Sequence, residues 1–151
     1  LDLIRILTKG ELYEIFTKFG EESRAWAVSD AIVRARSIKP IETTKDLAKI
    51  VFARAGQSKK VFQALRIVVN DELNSIRQAL PKALGLLEEN GRLCVISFHS
   101  LEDRIVKRKF IEFAEKGLGK IITEKPIVPS IGEIEVNKRA KSAKLRIFER
   151  N

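Results

Sequence analysis

The chain has 151 residues, a formal net charge of +9 at pH 7 and a pI near 9.8. That length suits one ordinary domain or two small ones, and a hydrophobic content of 44% can build a core, which excludes a disordered or fibrous chain. One cysteine and one histidine exclude a disulfide frame and a Cys/His zinc site, no apolar run is long enough to span a bilayer, and the basic surplus favours a polyanionic partner, nucleic acid ahead of a membrane surface.

Thr8-Lys9-Gly10-Glu11 has the form of a capping box, and Leu12, Ile15, Phe16 and Phe19 follow at helical spacing until Gly20. A second helix is expected from about Glu22 to Arg36, with Trp26, Ile32 and Val33 on its apolar side and Pro40 beyond its end. Thr43 to Asp46 starts a third, carrying Leu47, Ile50 and Val51 and ended near Gly56. Phe62, Leu65, Val69, Leu73, Ile76, Leu80, Leu84 and Leu87 then form one sustained helical stripe. Pro81 predicts a kink or restart within it, and Asn90-Gly91 its end.

Arg92 to Phe98 is continuously apolar at Leu93, Cys94, Val95 and Ile96, as in a strand covered on both faces of a parallel sheet. Cys94 is expected to pack there as a small hydrophobe in a reducing, cytoplasmic setting. Ser100-Leu101-Glu102-Asp103 predicts a capped helix starting at Ser100, with Leu101, Ile105, Phe110 and Phe113 inside. Two last strands are expected at 121–127 and 143–148, joined by a loop, so the whole reads as an α/β sheet. The start at Leu1, in a chain with no methionine, suggests a fragment.

The chemistry concentrates where the first strand ends. Ser97, Phe98, His99 and Ser100 lie at the carboxyl end of a strand and the start of a helix, the usual place for a ligand in an open α/β sheet. A serine hydrolase is disfavoured, because no Gly-x-Ser-x-Gly elbow is present and Asp103 is better used in capping. Phosphate-cradling glycine motifs are absent and no metal site is expected. Basic residues gather at Lys59, Lys60 and Arg66, and again at Lys138, Arg139, Lys141, Lys144, Arg146 and Arg150. Both groups are candidates for RNA phosphate contacts.

Four stretches carry a resemblance: VFQALRIVVNDEL (61–73), NGRLCVISFHSLEDRIVKRKF (90–110), ITEKPIVPS (122–130) and NKRAKSAKLRIFER (137–150). Together they resemble the MraW/RsmH family of bacterial small-subunit ribosomal RNA methyltransferases. GEESRAWAVSDAIVRAR (20–36) and PIETTKDL (40–47) resemble that family's helical insertion. The resemblance implies a Rossmann-like class I methyltransferase sheet, represented by its C-terminal strands, with an inserted small helical domain. Residues 1–57 match the insertion on the substrate-recognition side, and 58–151 the C-terminal half of the methyltransferase domain.

The implied activity is S-adenosylmethionine-dependent methylation of the exocyclic N4 of a cytidine in small-subunit ribosomal RNA. The implied partner is that RNA or its subunit, with no membrane and with a homodimer left open. Asn70, Ser97, Phe98, His99 and Ser100 become the candidate wall of the substrate pocket. The cofactor's site is expected mainly upstream of residue 1, with no cofactor ligand in this chain, so the chain alone is expected to be inactive. The rival reading is a non-catalytic RNA-binding module, split or degenerate.

Overall fold

Local capping signals set most of the element boundaries. A computed structural model of the protein describes residues 2–151. Helix α1 (Asp2–Ile6) was not anticipated from the sequence. It is followed by α2 (Lys9–Lys18), α3 (Ala25–Ile38), α4 (Thr44–Ala55) and α5 (Lys59–Asn70). Thr8 and Thr43 each accept from the backbone N–H three residues on and receive the reciprocal carboxylate, so both expected capping boxes are present. Gly56 ends α4 in the left-handed conformation that glycine adopts without strain (φ 70°). The second expected helix is shifted to 25–38, and Ala25, Val28, Ser29 and Ile32 face inward. Trp26, one position off that ridge, is exposed rather than apolar-side.

The long apolar stripe is two helices. Asp71 takes a left-handed conformation (φ 49°, ψ 41°) and closes α5, and α6 (Glu72–Gly85) begins at the next residue. The break falls at Asp71 and not at Pro81, which sits inside α6 at the cost of one backbone bond. The chain divides into two compact units at the same place, Leu1–Asp71 and Glu72–Asn151. In packing terms α5 goes with the helical unit: Val61, Ala64, Phe62 and Leu65 join a core built on Leu12, Phe16, Val28, Ile32, Leu47 and Val51.

The second unit contains α6, β1 (Arg92–Ser97), α7 (Ser100–Glu115), β2 (Gly119–Ile121), α8 (Ile131–Val136), a 3-10 turn (Lys138–Ser142) and β3 (Lys144–Arg150). Its sheet has the order β1-β3-β2 and is antiparallel at both pairings, where the sequence suggested a parallel neighbour. Leu80, Leu84, Val106, Phe110, Phe113 and Phe148 make its core, joined by Leu93 and Val95. Only one face of β1 is covered. Cys94 and Ile96, paired with Ile147 and Leu145, point the other way. Cys94 is exposed rather than packed, and Ile96 is 58% exposed.

The expected strand at 121–127 is shorter and earlier. It spans 119–121, followed by hydrogen bonds from Ile122 and Thr123 to the Ile147 carbonyl and a single bridge between Ile127 and Leu145. Pro126, with no N–H to donate, sits where the ladder lapses. Among the described residues no helix is long and apolar enough to cross a membrane.

Gly119 is where β2 meets β3 most closely. A Cβ there would lie 2.1 Å from the Glu149 carbonyl oxygen and 2.6 Å from the Phe148 ring. Gly119→Ala is therefore expected to cost about 1–3 kcal/mol through overpacking, read as a lowered denaturant midpoint. An unchanged midpoint would mean that the strand pair yields freely at this contact.

Candidate functional site

The turn from β1 to α7 is built around His99. Its backbone is extended (φ −145°, ψ 165°) and its side chain is the N-cap: Nδ1 accepts the Glu102 N–H at 3.4 Å. Glu102 closes the box by accepting from the backbone N–H groups of Phe98 (2.8 Å) and His99 (3.3 Å). The cap is thus His99, one residue before the expected Ser100. The carboxylate expected to cap, Asp103, is engaged elsewhere.

An imidazole whose Nδ1 accepts a hydrogen bond carries its proton on Nε2. That Nε2 is buried and has no hydrogen-bond partner, in a side chain only 10% exposed. Glu102 Oε1 lies 3.3 Å away, but off the axis of the N–H. Glu72, the first residue of α6, completes the group. One ligand atom each from Glu72, His99 and Glu102 lie within 4.8 Å of one another. The donor set is of a kind that can hold a divalent cation, but the capping bond turns Nε2 into a proton donor and removes the lone pair that a metal would need. As arranged, the cluster is a donor flanked by two carboxylates.

Ser97, Phe98, His99 and Ser100 are contiguous here, as the sequence implied, yet they differ in role. The Ser97 side chain is buried and its hydroxyl donates to the Lys144 carbonyl (3.4 Å), away from the His99 ring. Phe98 is exposed, and Ser100 is half-buried with bonding of its own. Asn70 ends α5, in the other unit. With Arg66, Phe62, Leu65 and Val69 it lines a mainly apolar groove of about 640 Å³. Sequence reasoning passed over Glu72 and read Glu102 only as a cap. The usable signal was an acid directly after Asp71 in a motif already singled out.

The basic residues divide. Lys59, Arg66, Arg139 and Lys141 are exposed, and Lys60 donates to the Glu21 carbonyl at 2.8 Å. Arg146 does not belong on an RNA-facing surface. It is 6% exposed, and its guanidinium grips both oxygens of Asp103 at 2.7 and 3.2 Å. Those hydrogen bonds, with Lys144 adding charge at 3.6 Å, hold the Asp103 carboxyl below its ordinary range against the opposing effect of burial. Arg150 is likewise engaged, donating to the carbonyls of Gly85 and Leu87.

Over residues 1–151 the chain matches the family model described as the MraW methylase family. It is 44% identical over 155 residues to the ribosomal RNA small subunit methyltransferase H of Coprothermobacter proteolyticus, covering 99% of this chain and 52% of that protein. To the protein of the same name from Persephonella marina it is 45% identical over 158 residues, covering 99% and 54%. The chain thus spans about half the length of the curated relatives it matches.

Proposed function

The chain belongs to the MraW methylase family, and on that premise we propose that it forms the substrate side of an enzyme methylating the exocyclic N4 of a cytidine in small-subunit ribosomal RNA from S-adenosylmethionine. The match over all of residues 1–151 carries this reading, and the relatives' names give its RNA class. The three strands are read as the end of a Rossmann-like sheet.

The residues in hand do not themselves fit the cofactor. Among the described glycines, Gly91 and Gly119 are crowded by their own neighbours, and none opens a cradle at the end of β1. The proposal therefore assigns cofactor binding to the part of the relatives that this chain does not span, and no step is routed through it here.

What this chain contributes is placement of the target amine. A cytidine amine is a two-proton donor whose lone pair is delocalised into the ring, so it reacts only when held in the right orientation. Carboxylates accept such protons, and Glu72 and Glu102 converge on one point beside His99. The buried His99 Nε2–H has no hydrogen-bond partner within the described chain, and the proposal gives it an acceptor on the pyrimidine ring once the corner admits substrate.

His99→Asn separates this role from the cap, since asparagine retains a capping oxygen and deletes Nε2. In the protein expressed from its complete gene, the variant is expected to melt near the parent and to bind cofactor comparably. Methyl transfer to small-subunit RNA should fall by about 100-fold, the scale of a misplaced substrate. Full activity in a folded variant, or a product other than N4-methylcytidine on mass spectrometry of the digested RNA, would overturn the reading.

A further inference from the structure

We propose that Trp26, with Tyr13 and the cations around Asp30, is a stacking platform for a base of an unpaired RNA strand. The proposal rests on the reading that the chain serves an RNA substrate, and it places a contact surface on the helical unit, separate from the His99 cluster.

The neighbours of Trp26 on α3 explain why it faces outward. Ala25, Val28, Ser29 and Ile32 occupy the buried ridge, so Trp26, Asp30 and Arg34, four residues apart, share the exposed one. The indole remains 55% exposed and Tyr13, reaching across from α2, 39%. The two rings meet edge-on at 5.5 Å with their planes at 80°. Lys9 sits over the indole, its Nζ 4.1 Å from the ring centroid. An aromatic pair this exposed gains little for folding, yet it is held in a fixed geometry by a cation–π contact and an edge-to-face contact.

The charge beside it has one sign in excess. Asp30 takes Lys9 at 3.0 Å and Arg34 at 2.8 Å. Arg54 lies close enough to help hold the Asp30 carboxyl down, behind the Lys9 hydrogen bond and Arg34. Arg24 donates to the Arg54 carbonyl at 3.1 Å, so its charge belongs to the same patch, with Glu22 accepting only its backbone N–H. Three cations therefore share the Asp30 carboxylate, with Arg24 next to Arg54, beside a half-exposed indole. Bases stack on aromatic faces and phosphates seek Arg and Lys. That combination recognises single-stranded nucleic acid, because a duplex keeps its base faces covered.

Trp26 is the sole tryptophan, so its emission reports this site alone. The 151-residue chain is titrated with an unpaired cytidine-containing RNA oligonucleotide, with its duplex and with anionic phospholipid vesicles, while the anisotropy of labelled RNA reports total binding. The expected result is saturable quenching by the unpaired strand at the anisotropy midpoint. Trp26→Ala should weaken binding by about five-fold or more, and Trp26→Phe by less. Three outcomes overturn the platform: equal quenching by duplex, quenching by vesicles but not RNA, or RNA bound with emission and Trp26→Ala affinity unchanged. In the last, RNA binds elsewhere and the proposed function stands. No RNA binding at all overturns the platform, while the methyl-transfer assay still judges the function.

Discussion

Replacing Asp103 by alanine should cost about 3–5 kcal/mol of the sheet unit's stability, because it strands the Arg146 guanidinium in the interior. Both side chains are nearly closed to solvent, at 12% and 7% exposure, and the pair is bidentate. Intact, such a pair contributes modestly, because desolvation offsets most of the attraction; broken, it leaves an uncompensated charge. Asp103→Leu with Arg146→Met should recover most of the loss, and urea unfolding of the two singles and the double closes the cycle. A single-variant loss below about 1 kcal/mol would show that water reaches Arg146. The pH dependence has a definite sign. The folded carboxyl lies below its ordinary value of 3.8, so the stability from the pair is complete above that value and drains as pH falls through the folded one. Glu112 is the contrast. Lys109 and Lys116 hold it down to about 2, but it lies near the surface, so its removal matters far less.

Phe148→Ala should be comparably damaging, at about 3–5 kcal/mol. Phe148 is fully buried on the central strand, with ring centroids 5.3 Å from Phe110 and 5.7 Å from Phe113. Truncation removes transfer free energy and opens a void that neighbours on α7 and β3 cannot both fill. Urea unfolding followed by circular dichroism measures it. A cost near 1 kcal/mol would mean that α7 collapses onto the sheet. Phe148→Leu, which keeps most of the volume, should retain most of the stability.

The features legible in the sequence are those written in neighbouring residues. Thr8 and Thr43 announced their helices because a capping box is a four-residue statement, and Gly56 marked its C-cap for a similar reason. The stripe from Phe62 to Leu87 was visible, but its division at Asp71 was not, since apolar spacing continues across a break made by one backbone conformation. Leu93 to Ile96 reads as covered on both sides, while in this chain only Leu93 and Val95 have a core to enter. At the site, the cluster hinged on a histidine used as a cap, where serine is the usual choice. The helix start at Ser100 was legible and the capping residue was off by one. Arg146 looked like surface charge because its partner is 43 residues away.

His99 also ties the first turn of α7 to the chemistry of its ring. With Nδ1 accepting the Glu102 N–H, the start of α7 depends on this one side chain as well as on its own backbone. The Asp103 N–H, bonded to the His99 carbonyl at 3.2 Å, sits in the same turn as the carboxylate that grips β3 through Arg146. Local opening at this one corner would loosen both the end of β1 and the clamp between helix and sheet. The corner acts as a latch between the end of β1, the start of α7 and β3.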